Sequence, residues 1–202
     1  MYVPGPRAME GADPVNKKLV AALSGGAALV LALSGCGDDS EQKVNDYAKK
    51  VCDQVQPQLK KITQANQSIT ATAADGKPEE IKKADSAAFQ QISDAYADMS
   101  GSVKEAGAPP VEDGEKTQQQ AVKELSETSK AYAGLKKAVD DLDTKDQGKF
   151  AEGLKGVAED LDKVNKVGDD AIKKLQSGEV GAAMSKQEGC QRGTGGTDES
   201  GA

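Results

Sequence analysis

Seven residues spaced 4-3-4-3-4-3, Ala121, Leu125, Thr128, Tyr132, Leu135, Val139 and Leu142, lay a one-sided, largely apolar stripe along the chain. An α-helix brings such positions to one face. Alternating steps of three and four over three heptads are what a helix needs to pack lengthwise on a neighbour. The spacing recurs at Phe150, Leu154, Val157, Leu161, Val164, Gly168, Ala171 and Leu175. Beyond Ser40 the sequence is dominated by Ala, Lys, Glu, Gln, Asp and Leu, and runs of β-branched residues are absent. That composition favours helix almost throughout.

Widely spaced breaks divide the region into four long helices. The first is expected from Asp39 or Ser40 to about Ala74, with Val44, Ala48, Val51, Val55, Ile62 and Ile69 on one side. Pro57 falls inside it and should bend or split it near Gln56, because proline removes a backbone hydrogen bond. Asp75-Gly76-Lys77-Pro78 stops this helix and starts the next, which runs to about Ala106 along Ile81, Ala88, Ile92, Met99 and Val103. After Gly107-Ala108-Pro109-Pro110, the third helix extends from Val111 or Glu112 to Leu142. Thr144 with Gln147 is the expected capping box of the fourth, which ends at Gly178.

Short breaks between helices of about 30 residues make each fold back along its predecessor. The expected fold is all-α, an up-down-up-down four-helix bundle of long antiparallel helices, on the order of 45 Å long. Its core is thin, built of Ala and single Val or Ile residues, so a covalent clasp matters more than usual, and Leu125 and Leu161 are expected to be buried deeply enough that Asp at either would unfold the domain. The residues from Gln191 onward offer nothing apolar and are expected to be a disordered tail, 191–202.

The front of the chain carries different information. Lys17 and Lys18 precede an apolar stretch from Leu19 to Leu33. At about fifteen residues it is too short for a membrane span and suits the apolar region of a signal peptide. Leu33, Ser34, Gly35 and Cys36 follow, and these four residues resemble the lipobox of bacterial prolipoproteins. The resemblance implies that Cys36 becomes a diacylglyceryl-modified first residue after residues 1–35 are cut away. Residues 36–43 then form a lipidated tether to a helical bundle over 44–190. The segment MYVPGPRAMEGADP, with two acids and three prolines, does not fit the positive start of a signal. Synthesis is expected to begin at Val15 or Met9.

Three cysteines leave one unpaired in an exported protein. Lipid on Cys36 resolves the count, and Cys52 with Cys190 remain to form a disulfide that an oxidising envelope preserves. The loop so closed is worth about 5 kcal/mol as an upper figure. A metal site on those two thiolates has no support, since the chain lacks histidine and the spacing fits no zinc motif.

Of 26 bases and 33 acids, the leader takes Arg7, Lys17, Lys18, Glu10 and Asp13, leaving 23 and 31, a net of −8 for residues 36–202. That sign argues against nucleic acid as a partner. Catalysis has little to stand on without histidine, a phosphate-binding glycine loop or a Gly-x-Ser-x-Gly elbow. No enzyme activity, cofactor or metal is expected. Counting from Asp141 puts Glu152 at the twelfth position of a calcium-type loop. Lys145 and Asp146 nevertheless stand where a ligand and a glycine are needed. The acids Asp140, Asp141, Asp143 and Asp146 therefore read as a helix end and cap. Tyr47, Tyr96 and Tyr132 either gather into a pocket or sit at helix edges, Gly168 either opens a cavity or lets a helix approach, and Thr128 should bond the Glu124 carbonyl.

The lipobox, an acidic Ala- and Lys-rich helical region and two cysteines bracketing it resemble the "small secreted protein" lipoproteins of actinobacteria. The likeness is one of layout and implies a location, the outer face of the cytoplasmic membrane, and no activity. The expectation is a lipid-anchored, extracytoplasmic, non-enzymatic helical module. It would attach to the membrane through acyl chains on Cys36 and bind an envelope protein or cell-wall component. The alternative is a carrier or sensor of a small apolar ligand held between the helices.

Overall fold

The computed structural model describes residues 36–73, 76–175 and 178–191, with 36–38 and 167–175 described by backbone alone. Five α-helices occupy them: α1 Cys36–Ala73, α2 Pro78–Ala106, α3 Gly114–Asp140, α4 Gln147–Leu175 and α5 Gly178–Ser185. A 3-10 turn, Glu188–Cys190, closes the order, and no strand occurs among the described residues. None of these helices is long and apolar enough to cross a membrane.

Helix α1 is a single element of 38 residues that runs through Pro57 without interruption. Of the bend or split expected near Gln56, the split does not occur. Pro57 and Asp53 lie on the exposed side, so the Asp53 carbonyl that loses its N–H partner faces solvent, which satisfies it cheaply. The helix also starts at Cys36, ahead of Asp39, so residues 36–43 form its first two turns.

Helix α2 starts at Pro78, whose missing N–H costs nothing at a first turn. The Glu80 carboxylate accepts from the Lys77 N–H at 3.1 Å. Helix α3 starts later than its sequence suggests. Asp113 adopts the left-handed region, φ 57°, and a Cβ on Gly114 would lie 2.0 Å from the Pro109 carbonyl oxygen. Only glycine fits that turn, and the chain becomes helical from there on.

The cap of α4 also differs from expectation. Asp146, not Thr144, accepts from the Lys149 N–H at 3.1 Å, and the Asp143 carboxylate folds the turn before it by accepting from the Lys145 N–H at 3.0 Å. Aspartate one residue before the helix satisfies a free N–H and meets the positive end of the helix dipole.

Three apolar clusters hold the helices together. The first joins Ala65 of α1, Phe89 and Ile92 of α2, Tyr132, Leu135 and Val139 of α3 and Val157 of α4. The second joins Val51 and Val55 to Met99, Val103 and Ala121. The third joins Val44 and Ala48 to Val180 and Ala183 of α5. Ile92, Val51, Val139 and Cys52 are the largest fully buried side chains, whereas Leu125 and Leu161 are only half-buried.

Polar contacts set the register between α2 and α3. Ser86 Oγ donates to Asp140 at 2.6 Å, Ser93 Oγ to the Ser129 carbonyl at 2.9 Å and Ser100 Oγ to the Val122 carbonyl at 3.0 Å. Serine suits this seam because a short side chain lets the helices approach while its hydroxyl finds a carbonyl across the gap. Thr128 Oγ1 bonds the Glu124 carbonyl at 2.9 Å, as its position on the stripe implied.

Candidate functional site

The lipobox residues Lys17, Lys18, Leu33, Ser34 and Gly35 lie outside the described residues, as do the leader 1–35 and the tail beyond Gln191. Cys36 is the first residue of α1. Sixteen residues on, about 24 Å along the helix axis, Cys52 is fully buried and bonded to Cys190, S–S 1.98 Å and Cα–Cα 4.9 Å. The clasp ties α1 to the 3-10 turn across 138 residues of sequence. Beside it Val180 and Ala183 of α5 press on Val44 and Ala48, and Lys186 pairs with Glu41 at 3.8 Å. Both partners of that pair are exposed, so it contributes little. Apolar contact and the covalent bond hold this end.

Of the three tyrosines among the described residues, two meet. Tyr96 and Tyr132 stack with centroids 5.7 Å apart, and Phe89 tilts onto Tyr132 at 6.1 Å. Tyr132 hydroxyl donates to Asn165 of α4 at 3.4 Å, and burial pushes its pKa up to about 12. Tyr47 instead packs with the second and third clusters. The rings fill space between helices, and the packing of Gly168 falls outside the described side chains.

An open groove of about 610 Å³ runs along α2 and α3 past Lys82, Lys83, Ser86, Lys136 and Asp140. Lys82, Lys136 and Asp140 in its wall have partners. Lys82 Nζ donates to the Leu142 carbonyl at 2.8 Å, and Asp140 holds both Lys136 and Ser86, which keep its carboxyl below the ordinary range. Asp140 thus closes the end of α3 while Asp146 caps α4, the part the acidic turn was expected to play. Among the described residues no group of three or more acids or cysteines is placed to hold a metal ion.

One residue was passed over in the sequence. Asp85 is 8 % exposed on α2, and burial raises its pKa. Its carboxyl forms no hydrogen bond or ion pair among the described residues. It sits in the same 4-3-4 register as Ile81, Ala88 and Ile92, so the spacing marks it as a seam position even though its chemistry does not.

Two buried amide oxygens, Oε1 of Gln54 and of Gln58, one turn apart on α1, likewise have no hydrogen-bond donor among the described residues. No protein-family model, no curated protein and no solved structure matches the chain.

Proposed function

We propose that this chain is an exported lipoprotein of the outer face of the cytoplasmic membrane. Its helices form a non-enzymatic module that binds an envelope protein or cell-wall component. In this reading the four long helices stand as an up-down-up-down bundle. The order of contacts supports it: as residue numbers rise along α2 from Ser86 to Ser93 and Ser100, their partners in α3 fall from Asp140 to Ser129 and Val122. Lys61 of α1 facing Asp98 near the far end of α2, with only a short turn between the two helices, implies the same of α1 and α2. Tyr132 with Asn165 and Leu142 against Gly153 imply it of α3 and α4.

The observation that carries the functional reading is the continuity of α1. It begins at Cys36 and supplies residues to all three apolar clusters. Acyl chains on Cys36 would therefore hold the folded domain on a rigid stem, and two or three chains are enough for stable attachment. The net charge of −8 keeps the domain off an anionic bilayer and free to meet something beyond it.

The test is capture from detergent-solubilised envelope with the full lipoprotein as bait. A partner that saturates with bait concentration is expected. Recovery no greater than that of a helical bundle of equal size and charge contradicts the binding role.

A further inference from the structure

Residues 178–191, helix α5 and the 3-10 turn, form a strap laid against the early turns of α1. The strap has little of its own to hold it there. Helix α5 has 8 residues, short of the roughly 12–15 that an isolated helix needs in water, and Gly178 and Gly181 weaken it further. Its buried apolar side chains, Val180 and Ala183, rest on Val44 and Ala48, with Tyr47, Val111 and Met184 at the edge. Two small side chains cover too little apolar surface to offset the ordering of the whole segment. The exposed Lys186–Glu41 pair adds little. What keeps the strap in place is the Cys52–Cys190 bond.

The long helices do not depend on the strap in the same way. The first apolar cluster contains none of its residues, and the second has only Met184 at its edge. The serine hydrogen bonds between α2 and α3 involve none of them. Loss of the strap is therefore a local opening, separable from unfolding of the core.

The two sulfurs differ in access. Cys52 is fully buried, whereas Cys190 is half-buried on a surface turn. Thiol–disulfide exchange proceeds by attack of a thiolate on one sulfur, and access decides which one. An incoming thiolate reaches Cys190. At the other end of the strap Gly178 stands at φ 79° with open space where a Cβ would be, which gives a pivot free of side-chain hindrance.

We infer that the Cys52–Cys190 bond is a redox latch: an external dithiol opens it at Cys190, the strap swings away, and the long helices stay folded. In the first step a thiolate of the dithiol bonds to Cys190 Sγ, and Cys52 leaves as a thiolate that takes a proton from water. The second thiol then closes on the first and displaces Cys190. Two electrons pass to the protein, both cysteines become thiols, and the dithiol becomes a disulfide. Departure of the strap bares Val44 and Ala48 with neighbouring Tyr47. Val44 lies about 12 Å along α1 from Cys36, so the redox state sets which surface the start of α1 presents.

The experiment uses the oxidised full chain carrying Cys36→Ser, so that only the two clasp sulfurs react and the outcome does not depend on lipid. The protein is treated with dithiothreitol without denaturant and followed by thiol alkylation and by hydrogen exchange resolved along the chain. Both clasp thiols should appear. Amides of α5 and the 3-10 turn should then exchange at least tenfold faster, while those of α2 and α3 keep the rates of the oxidised protein. A brief pulse of glutathione, a monothiol, should leave its mixed disulfide on Cys190 and not on Cys52. A bond that yields only in denaturant, unchanged exchange in α5 after reduction, faster exchange throughout α2 and α3, or glutathione on Cys52 would each overturn the inference.

Discussion

Gly189 lies against the backbone of Cys52 so closely that a Cβ on it would come 2.6 Å from the Cys52 carbonyl oxygen and 2.7 Å from its carbon. The residue next to the disulfide is thus the one that lets the 3-10 turn reach α1. Gly189→Ala is expected to destabilise the domain by about 1–3 kcal/mol, the range for forcing extra volume into a packed site. Denaturant unfolding checks it, and a midpoint equal to the parent's would show that the turn yields freely.

Loss of the clasp itself should be costlier. Cys52→Ser/Cys190→Ser is expected to lower stability by up to about 5 kcal/mol, with strain and residual structure reducing the figure. Because α5 is held chiefly by the cluster of Val44, Ala48, Val180 and Ala183, limited proteolysis of the reduced protein should cut around α5 before it cuts α2 or α3.

Buried and half-buried stripe positions should separate clearly. Ile92 is fully buried, and Ile92→Ala is expected to cost about 2–5 kcal/mol. Leu161 packs against the same cluster from a half-buried place, and Leu161→Ala should cost roughly half as much, because less apolar surface is lost. Urea midpoints of the two variants decide the order.

Asp85 gives the pH dependence a sign. Burial raises its pKa, so the folded state binds more protons than the unfolded chain once the pH passes the ordinary aspartate value. Stability then falls as pH rises from about 4 to the folded-state value, and the deficit remains above it. Asp85→Asn, which keeps the shape and removes the ionisable group, should therefore raise stability at pH 7. It should also remove that part of the fall with pH. Thermal melts of parent and variant from pH 3 to 7 measure both effects.

The same residue marks where sequence reading stops. The stripe on α3 was legible because its apolar members recur in strict steps, and Ala121, Tyr132, Leu135 and Val139 are all buried. The Cys52–Cys190 pairing was legible from parity once Cys36 was set aside. Asp85 was not, because a search for apolar residues at seam spacing skips an acid that the spacing includes. Whether Pro57 splits the helix was not legible, because its effect depends on which way the freed carbonyl points, and that is fixed by packing. At the head of α4, Thr144 and Asp146 both offer a capping oxygen, and the turn made by Asp143 decides which one reaches the first turn. The open groove of Lys82 and Asp140 is a surface feature that no core periodicity encodes.

The central claim is the lipid on Cys36. Cells expressing the full chain are grown with radiolabelled palmitate, and the protein is recovered from membranes and sequenced from its N-terminus. The account predicts label in the protein, a mature chain that starts at Cys36, and loss of both in Cys36→Ala. An unlabelled chain that still carries Leu33-Ser34-Gly35 ahead of an unmodified Cys36 would contradict it.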